Sequence, residues 1–289
     1  MTQEREVAVV TGSSSGIGFD TSLTLARNGF HTYATMRKLE GEGSKQMADI
    51  LKDENLPLEI IQLDVDNDKS VTEVINRIAK EKDRIDVVVN NAGYALVGAL
   101  EQTSMEEIRE QFETNFFGAV RVMQTIIPIM REQKSGKIVN ITSMGGRVAI
   151  PLDPIYHGTK FALEGLSESM RYELEPFGIN IILIEPGAVG SNFWKNFKMA
   201  AKASGHYDVD NGNMNNAPYK QLENKMLESF KQMEQNTIHP SEVANVILQA
   251  VKTDNPELRY VIGNDASMVL ESRRNLSDNE FQNFMKKTI

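Results

Sequence analysis

Short apolar runs alternate with longer stretches in which apolar residues recur every three or four positions, from residue 7 to about residue 190. Val7-Ala8-Val9-Val10 is a continuous run of the kind that fills a strand buried on both faces. Runs at 32 to 36, 58 to 63, 85 to 89, 137 to 141 and 179 to 184 repeat that signature, and Arg259-Tyr260-Val261-Ile262 is a weaker seventh. The intervening stretches have helical period: Leu23, Leu25 and Ala26 after the first strand, then Val71, Val74, Ile75 and Ile78 between residues 68 and 82. Longer helices are predicted over 104 to 133 and 155 to 177. Ser70 with Glu73, and Ser104 with Glu107, have the spacing of a capping box. Buried strands alternating with amphipathic helices predict a single α/β domain, a Rossmann-type doubly wound parallel sheet with helices on both faces.

The pattern changes after Gly190. Residues 191 to 239 contain no convincing strand, and 204 to 218 are polar and asparagine-rich. A connection that long predicts a substrate-binding lid, with 204 to 216 as its loop. Residues 6 to 190 then form the cofactor-binding and catalytic core, and 240 to 289 a C-terminal helix, the last strand and a tail. No repeat or second-domain boundary interrupts residues 1 to 289.

Composition narrows the chemistry. A chain of 289 residues, 40% of them hydrophobic, can bury one substantial core. A net charge of -9 and no basic stripe argue against nucleic acid as the main partner. Cysteine is absent, which removes disulfides, thiolate catalysis and cysteine-ligated zinc. His31, His157, His206 and His239 are scattered without ligand spacing, so they read as packing or surface residues and no metal site is expected. The charged N-terminus has no apolar signal region and no run of eighteen apolar residues occurs, so a cytoplasmic protein without a membrane span is expected.

Thr11-Gly12-Ser13-Ser14-Ser15-Gly16-Ile17-Gly18 lies between the first strand and the first helix. Glycines there let backbone approach a phosphate, and the helix start offers unpaired N–H groups. Tyr156 and Lys160 sit four apart, on one face of a predicted helix. With TGxxxGxG at the turn, Asn90-Asn91-Ala92-Gly93 after the fourth strand, Tyr156-x-x-x-Lys160 and Pro186-Gly187 after the sixth, the sequence resembles the short-chain dehydrogenase/reductase family. Ser143 and Asn115 stand where that family has catalytic residues. The resemblance is strong over 6 to 190, and the segments around Thr35 and Phe193 are loosely similar to 17β-hydroxysteroid and retinol dehydrogenases.

Carbonyl reduction needs a hydride at carbon and a proton at oxygen. A free tyrosine, with pKa about 10, is a poor base at neutral pH. A nearby ammonium, helped by the charge of an oxidised nicotinamide, would favour phenolate and bring Tyr156 into range. Ser143 can hydrogen-bond the substrate oxygen. The resemblance implies that Lys160 also binds the nicotinamide ribose and that Asn115 holds a water of a proton relay. It further implies cofactor contacts from Gly12, Ser14, Ser15, Gly16, Ile17, Gly18, Asp64, Val65, Asn91, Ala92, Gly93, Pro186, Gly187 and Val189. NAD-preferring members carry an acid after the second strand; here Arg37 and Lys38 follow it and suit a 2′-phosphate, so NADP(H) is expected over NAD(H).

Met144, Gly145 and Leu152 flank the catalytic residues and are expected to line the substrate chamber, joined by Phe193, Trp194 and Phe197 from the lid. The substrate expected is a small-molecule carbonyl or secondary alcohol, with an apolar body. An NAD-dependent alcohol dehydrogenase, a 3-oxoacyl thioester reductase and a non-catalytic nucleotide sensor are the alternatives. A homodimer or homotetramer is implied by resemblance, joined through the 104 to 133 helix and the helix bearing Tyr156. Val120, Met123, Ile126 and Ile127 are the apolar residues on the first of these.

Overall fold

The computed structural model describes residues 5–191, 198–200, 219–234 and 237–288. The first half contains β1 (Val7–Val10), α1 (Gly16–Arg27), β2 (His31–Met36), α2 (Glu42–Glu54), β3 (Leu58–Gln62), α3 (Asp68–Lys82) and β4 (Val87–Asn90). Then come β5 (Leu96–Val97), α4 (Met105–Phe112), α5 (Gly118–Gln133), β6 (Gly136–Ile141), α6 (Pro154–Leu174) and β7 (Ile179–Pro186). The remainder holds β8 (Lys198–Met199), α7 (Lys220–Glu234), α8 (Pro240–Lys252), β9 (Arg259–Ile262), α9 (Asn264–Asn275) and α10 (Asp278–Thr288).

Seven strands form one parallel sheet in the order β3-β2-β1-β4-β6-β7-β9. Alternate side chains of each strand feed opposite cores. Val7, Val9, Val88 and Ile138 pack with α3, α5 and α6, whereas Ala8, Val10, Val89 and Val139 pack with α1 and α8. This explains why the strands read as unbroken apolar runs. Strand order reverses between β1 and β4, so the carboxyl ends of these strands flank the crevice where α/β sheets bind ligands.

Several elements depart from expectation. The 104 to 133 stretch is broken by a π-helical turn, Glu113–Phe117, between α4 and α5. Close packing fixes that junction: a Cβ on Gly118 would lie 2.8 Å from Val65 Cγ2. The Ser104–Glu107 capping box forms, but α3 is capped by Asn67, whose side chain accepts the Ser70 N–H. Ser70 Oγ instead accepts the Asp64 N–H at 3.0 Å. The α6 helix ends at Leu174 and passes through the 3-10 turn Glu175–Phe177. Residues 191 to 239 do contain a strand, since β8 pairs with β5, and they also contain α7. Two helices, α9 and α10, stand where a tail was expected. Met123 and Ile126 are fully buried in the core rather than on a subunit face, and Val120 and Ile127 pack partly against the same cluster. Among the described residues no helix is long and apolar enough to cross a membrane.

Candidate active site

A cavity of about 500 Å³ opens along the carboxyl ends of the sheet strands. Its floor is the turn after β1. Gly12 has φ +67, and a Cβ there would lie 2.8 Å from Ala92 Cα, so only glycine lets the two loops meet. Asn91 holds that meeting: its Nδ2 donates to Thr11 O and Gly12 O at 2.9 and 3.0 Å, while Thr11 Oγ1 accepts the Asn91 and Ala92 N–H groups. Ser15 precedes α1 without a side-chain cap bond, which leaves first-turn N–H groups for a ligand.

The cavity wall collects most of the residues expected to hold cofactor. Gly12, Ser14, Ser15, Gly16, Ile17, Arg37, Asp64, Val65, Asn91, Ala92, Gly93, Tyr156, Lys160, Pro186, Gly187 and Val189 all line it. Two do not. Lys38 is exposed beyond the cavity, and Gly18 is buried behind the turn, where a Cβ would collide with Asn91 Nδ2 and the Gly12 carbonyl. Gly18 therefore shapes the turn rather than touching its contents. The Pro186-Gly187 corner is braced from α9: Asp265 accepts the Ala188 N–H at 2.7 Å, and a Cβ on Gly187 would strike the same carboxylate.

Ser143, Tyr156 and Lys160 converge at the far end. Ser143 lies two residues past the end of β6 and its Oγ accepts the Gly145 N–H at 3.0 Å. The Tyr156 hydroxyl hydrogen-bonds the Ser143 side chain. Lys160 Nζ lies 5.6 Å from the Tyr156 ring centroid and donates to Ile141 O at 2.8 Å. Burial lowers the Lys160 pKa to about 8.

In the protein alone, Lys160 does not draw Tyr156 toward neutrality. Burial pushes the Tyr156 phenol up, the Asp153 carboxyl adds to that, and the Ser143 hydrogen bond only partly opposes it. The ammonium is turned to the Ile141 carbonyl and lies over the Tyr156 ring.

Asn115 lies in the π-helical turn, 2% exposed and outside the cavity wall. Its Oδ1 accepts the Tyr94 N–H at 3.0 Å, and its Nδ2 donates to Tyr94 O at 2.8 Å and Thr159 Oγ1 at 3.3 Å. Both amide hydrogens are therefore engaged, so the side chain clamps the loop after β4 to α6 and has no donor left for a relay water. Met144 and Gly145 line the cavity, but Leu152 does not. Leu152, with φ +62, packs against Val97, Ala99 and Met226 and accepts the Gly98 N–H. Phe193, Trp194, Phe197 and the 204 to 216 loop lie outside the described residues.

Other contributors carried no sequence signal. His157 Nδ1 donates to Gly145 O at 2.8 Å and its Nε2 accepts the Ile150 N–H at 3.0 Å, tying the loop after β6 to α6. Burial lowers its pKa, consistent with a neutral ring held in one tautomer. Tyr94, Val148, Ile150 and Asp153 complete the wall. The Tyr94 phenol is pushed up to about 12 by burial and by Glu110.

A sequence model described as "short chain dehydrogenase" matches residues 6–202. The chain is 33% identical over 279 residues to a 3-ketodihydrosphingosine reductase of Bacteroides thetaiotaomicron, covering 96% of this chain and 95% of the relative. It is 35% identical over 260 residues to human 17-beta-hydroxysteroid dehydrogenase type 1, covering 89% and 77%. A crystal structure of a short-chain dehydrogenase from Streptomyces avermitilis superposes with TM-score 0.79 at 30% identity, covering 98% of both chains.

Proposed function

The chain belongs to the short-chain dehydrogenase family, and from that premise we propose that it is an NADP(H)-dependent reductase of ketones, with Tyr156 as proton donor. The convergence of Ser143, Tyr156 and Lys160 in the same cavity as the glycine turn carries this reading. The turn, the uncapped α1 start and Arg37 make a cradle suited to a dinucleotide phosphate. A nicotinamide bound there supplies the hydride.

Ser143 hydrogen-bonds the substrate oxygen and orients it. Tyr156, whose pKa is raised, keeps its proton through the physiological range and delivers it to that oxygen as the hydride reaches carbon. Lys160 places positive charge beside the ring and binds ribose hydroxyls. Arg37 stands at the cavity rim and pairs with a 2′-phosphate.

The relatives named for a hydroxysteroid and a ketosphingoid support an apolar substrate body. Val97, Met144, Val148 and Ile150 offer it an apolar wall. We extend the proposal to a cytoplasmic homodimer or homotetramer built on α4, α5 and α6, whose exposed Met105, Phe117, Phe161 and Tyr172 suit an interface. The test of the activity is a screen of ketosteroids, long-chain ketones, retinal, acyl thioesters and small aldehydes, read as NADPH and NADH consumption. Ketone-dependent NADPH oxidation is expected. No turnover with any carbonyl, or equal rates with both cofactors, would overturn the corresponding part.

A further inference from the structure

One titratable group in the cavity has no task in the reaction above. Asp153 is 8% exposed, lines the cavity three residues before Tyr156, and its Oδ1 has no hydrogen-bond partner among the described residues. Its position would ordinarily explain an aspartate, since it immediately precedes α6. At a helix start such a side chain accepts a first-turn N–H. Here it accepts none. Pro154 follows, and proline has no N–H to give.

Burying an unsatisfied carboxyl oxygen is unfavourable, and more so if it is ionised. The cavity it lines also has apolar wall from Val97, Val148 and Ile150, side chains with no hydrogen bond to offer. Nor is it an ion-pair member among the described residues, unlike the buried Glu164 and Glu185, which both meet Arg259. Asp153 lines the same cavity as Ser143 and Tyr156 and raises the Tyr156 phenol electrostatically, so a group that satisfies it shares the chamber with the reacting oxygen. Burial holds its pKa well above the usual carboxylate range, a cost that an incoming cation removes by stabilising the ionised form.

We propose that Asp153 determines specificity by binding an ammonium group that the substrate carries near its reacting carbon, so that the preferred substrates are amino ketones and the matching amino alcohols. This rests on the ketone reductase reading and sharpens it. Ammonium supplies three donors and the charge that a buried carboxylate lacks. A plain ketone leaves Asp153 unsatisfied, and a site left with an unpaired buried polar group discriminates strongly against the ligand that fails to pair it.

The test uses the full-length enzyme with NADPH and a matched series: a long-chain 2-amino-3-ketone, its N-acetyl derivative, and the same ketone without nitrogen. The readout is the ratio of kcat/KM for the amine to kcat/KM for each counterpart. A ratio of about 100 or more is expected for the natural protein, given the strength of charge-assisted hydrogen bonds. In Asp153→Asn and Asp153→Leu it should fall at least tenfold, with folding checked by thermal melting and NADPH binding by fluorescence. Asp153→Glu should restore part of the preference. A ratio near one in the natural protein, or one unchanged in both variants, overturns the proposal while the ketone reductase reading stands. So does a shifted pH profile on the nitrogen-free ketone with an unchanged ratio, which would make Asp153 an electrostatic tuner of Tyr156. Absence of turnover on every ketone, with NADPH still bound, would instead defeat the reductase reading itself.

Discussion

Tyr156 is held by a hydrogen bond to Ser143 and sits beneath a lysine that faces its ring, and burial raises its phenol, the arrangement on which the proposed proton donation rests. Tyr156→Phe removes one oxygen and little packing. Turnover is expected to fall by about 10²–10⁴, the usual worth of a positioned general acid, with NADPH affinity within about threefold of the parent. Steady-state rates and fluorescence titration check this, and retained turnover would take Tyr156 out of proton transfer. Arg37 acts on a different part of the site. It follows β2 directly at the cavity rim, within electrostatic reach of Asp66, whose own pKa is raised by burial. Arg37→Asp replaces a fork of donors by a like charge to phosphate. NADPH affinity should weaken about 10–100-fold while NADH changes little, and equal effects on both would refute the 2′-phosphate contact.

The elements serve mainly to hold loops together, as His157 illustrates. Its two ring nitrogens join the loop after β6 to α6, so His157→Leu leaves the Gly145 carbonyl and the Ile150 N–H unpaired. A loss of about 2 kcal/mol is expected in denaturant unfolding, with reduced turnover because Ser143 loses its support. The sign with pH follows from the lowered pKa. The unfolded chain takes up a proton near pH 6.5 while the native ring resists, so this contribution is full above about 6.5 and declines as pH falls toward the native value. The variant should lack that acid-side decline, and an identical pH profile would show that His157 titrates normally. This residue also marks the limit of what the chain announces. Period and punctuation revealed β1, β9 and the α4 cap, because each depends on near neighbours in sequence. A lone histidine one place after Tyr156 gives no hint that it reaches Gly145 and Ile150. The π-helical turn was hidden for the same reason, since Gly118 is explained by Val65, which is distant in sequence and meets it in the core. Asp153 looks like an ordinary helix-start aspartate until its missing partner is seen. Met47, Ile50 and Leu51 did have helical spacing in α2, but with only Met47 fully buried the apolar stripe was too thin to stand out.

Across the whole molecule the site works against stability, and Lys160 is where that opposition is largest. The ammonium is 6% exposed, and burial takes its pKa from 10.5 to about 8. Each unit is about 1.4 kcal/mol, so keeping this lysine charged in the native state costs ~3 kcal/mol at neutral pH. Lys160→Met removes that cost but strands the Ile141 carbonyl, for a return loss of about 1 kcal/mol. The net gain should be ~1–2 kcal/mol, which raises Tm by several degrees in a chain of this size. The pH dependence separates this from better packing. Below about pH 8 both native and unfolded chains hold the proton, and the parent bears the full penalty. Between about 8 and 10.5 the native lysine has lost its proton while the unfolded one has not, so the parent regains stability and the difference between the proteins closes. Melts at pH 7 and pH 10 should therefore show a stabilised variant at the first and a much smaller difference at the second, with turnover abolished throughout. A variant less stable at pH 7 would mean that the Ile141 contact outweighs the buried charge. A gain that is the same at both pH values would mean that the lysine binds its proton equally well in the folded and unfolded chains, so that burial does not depress its pKa and the gain comes from packing.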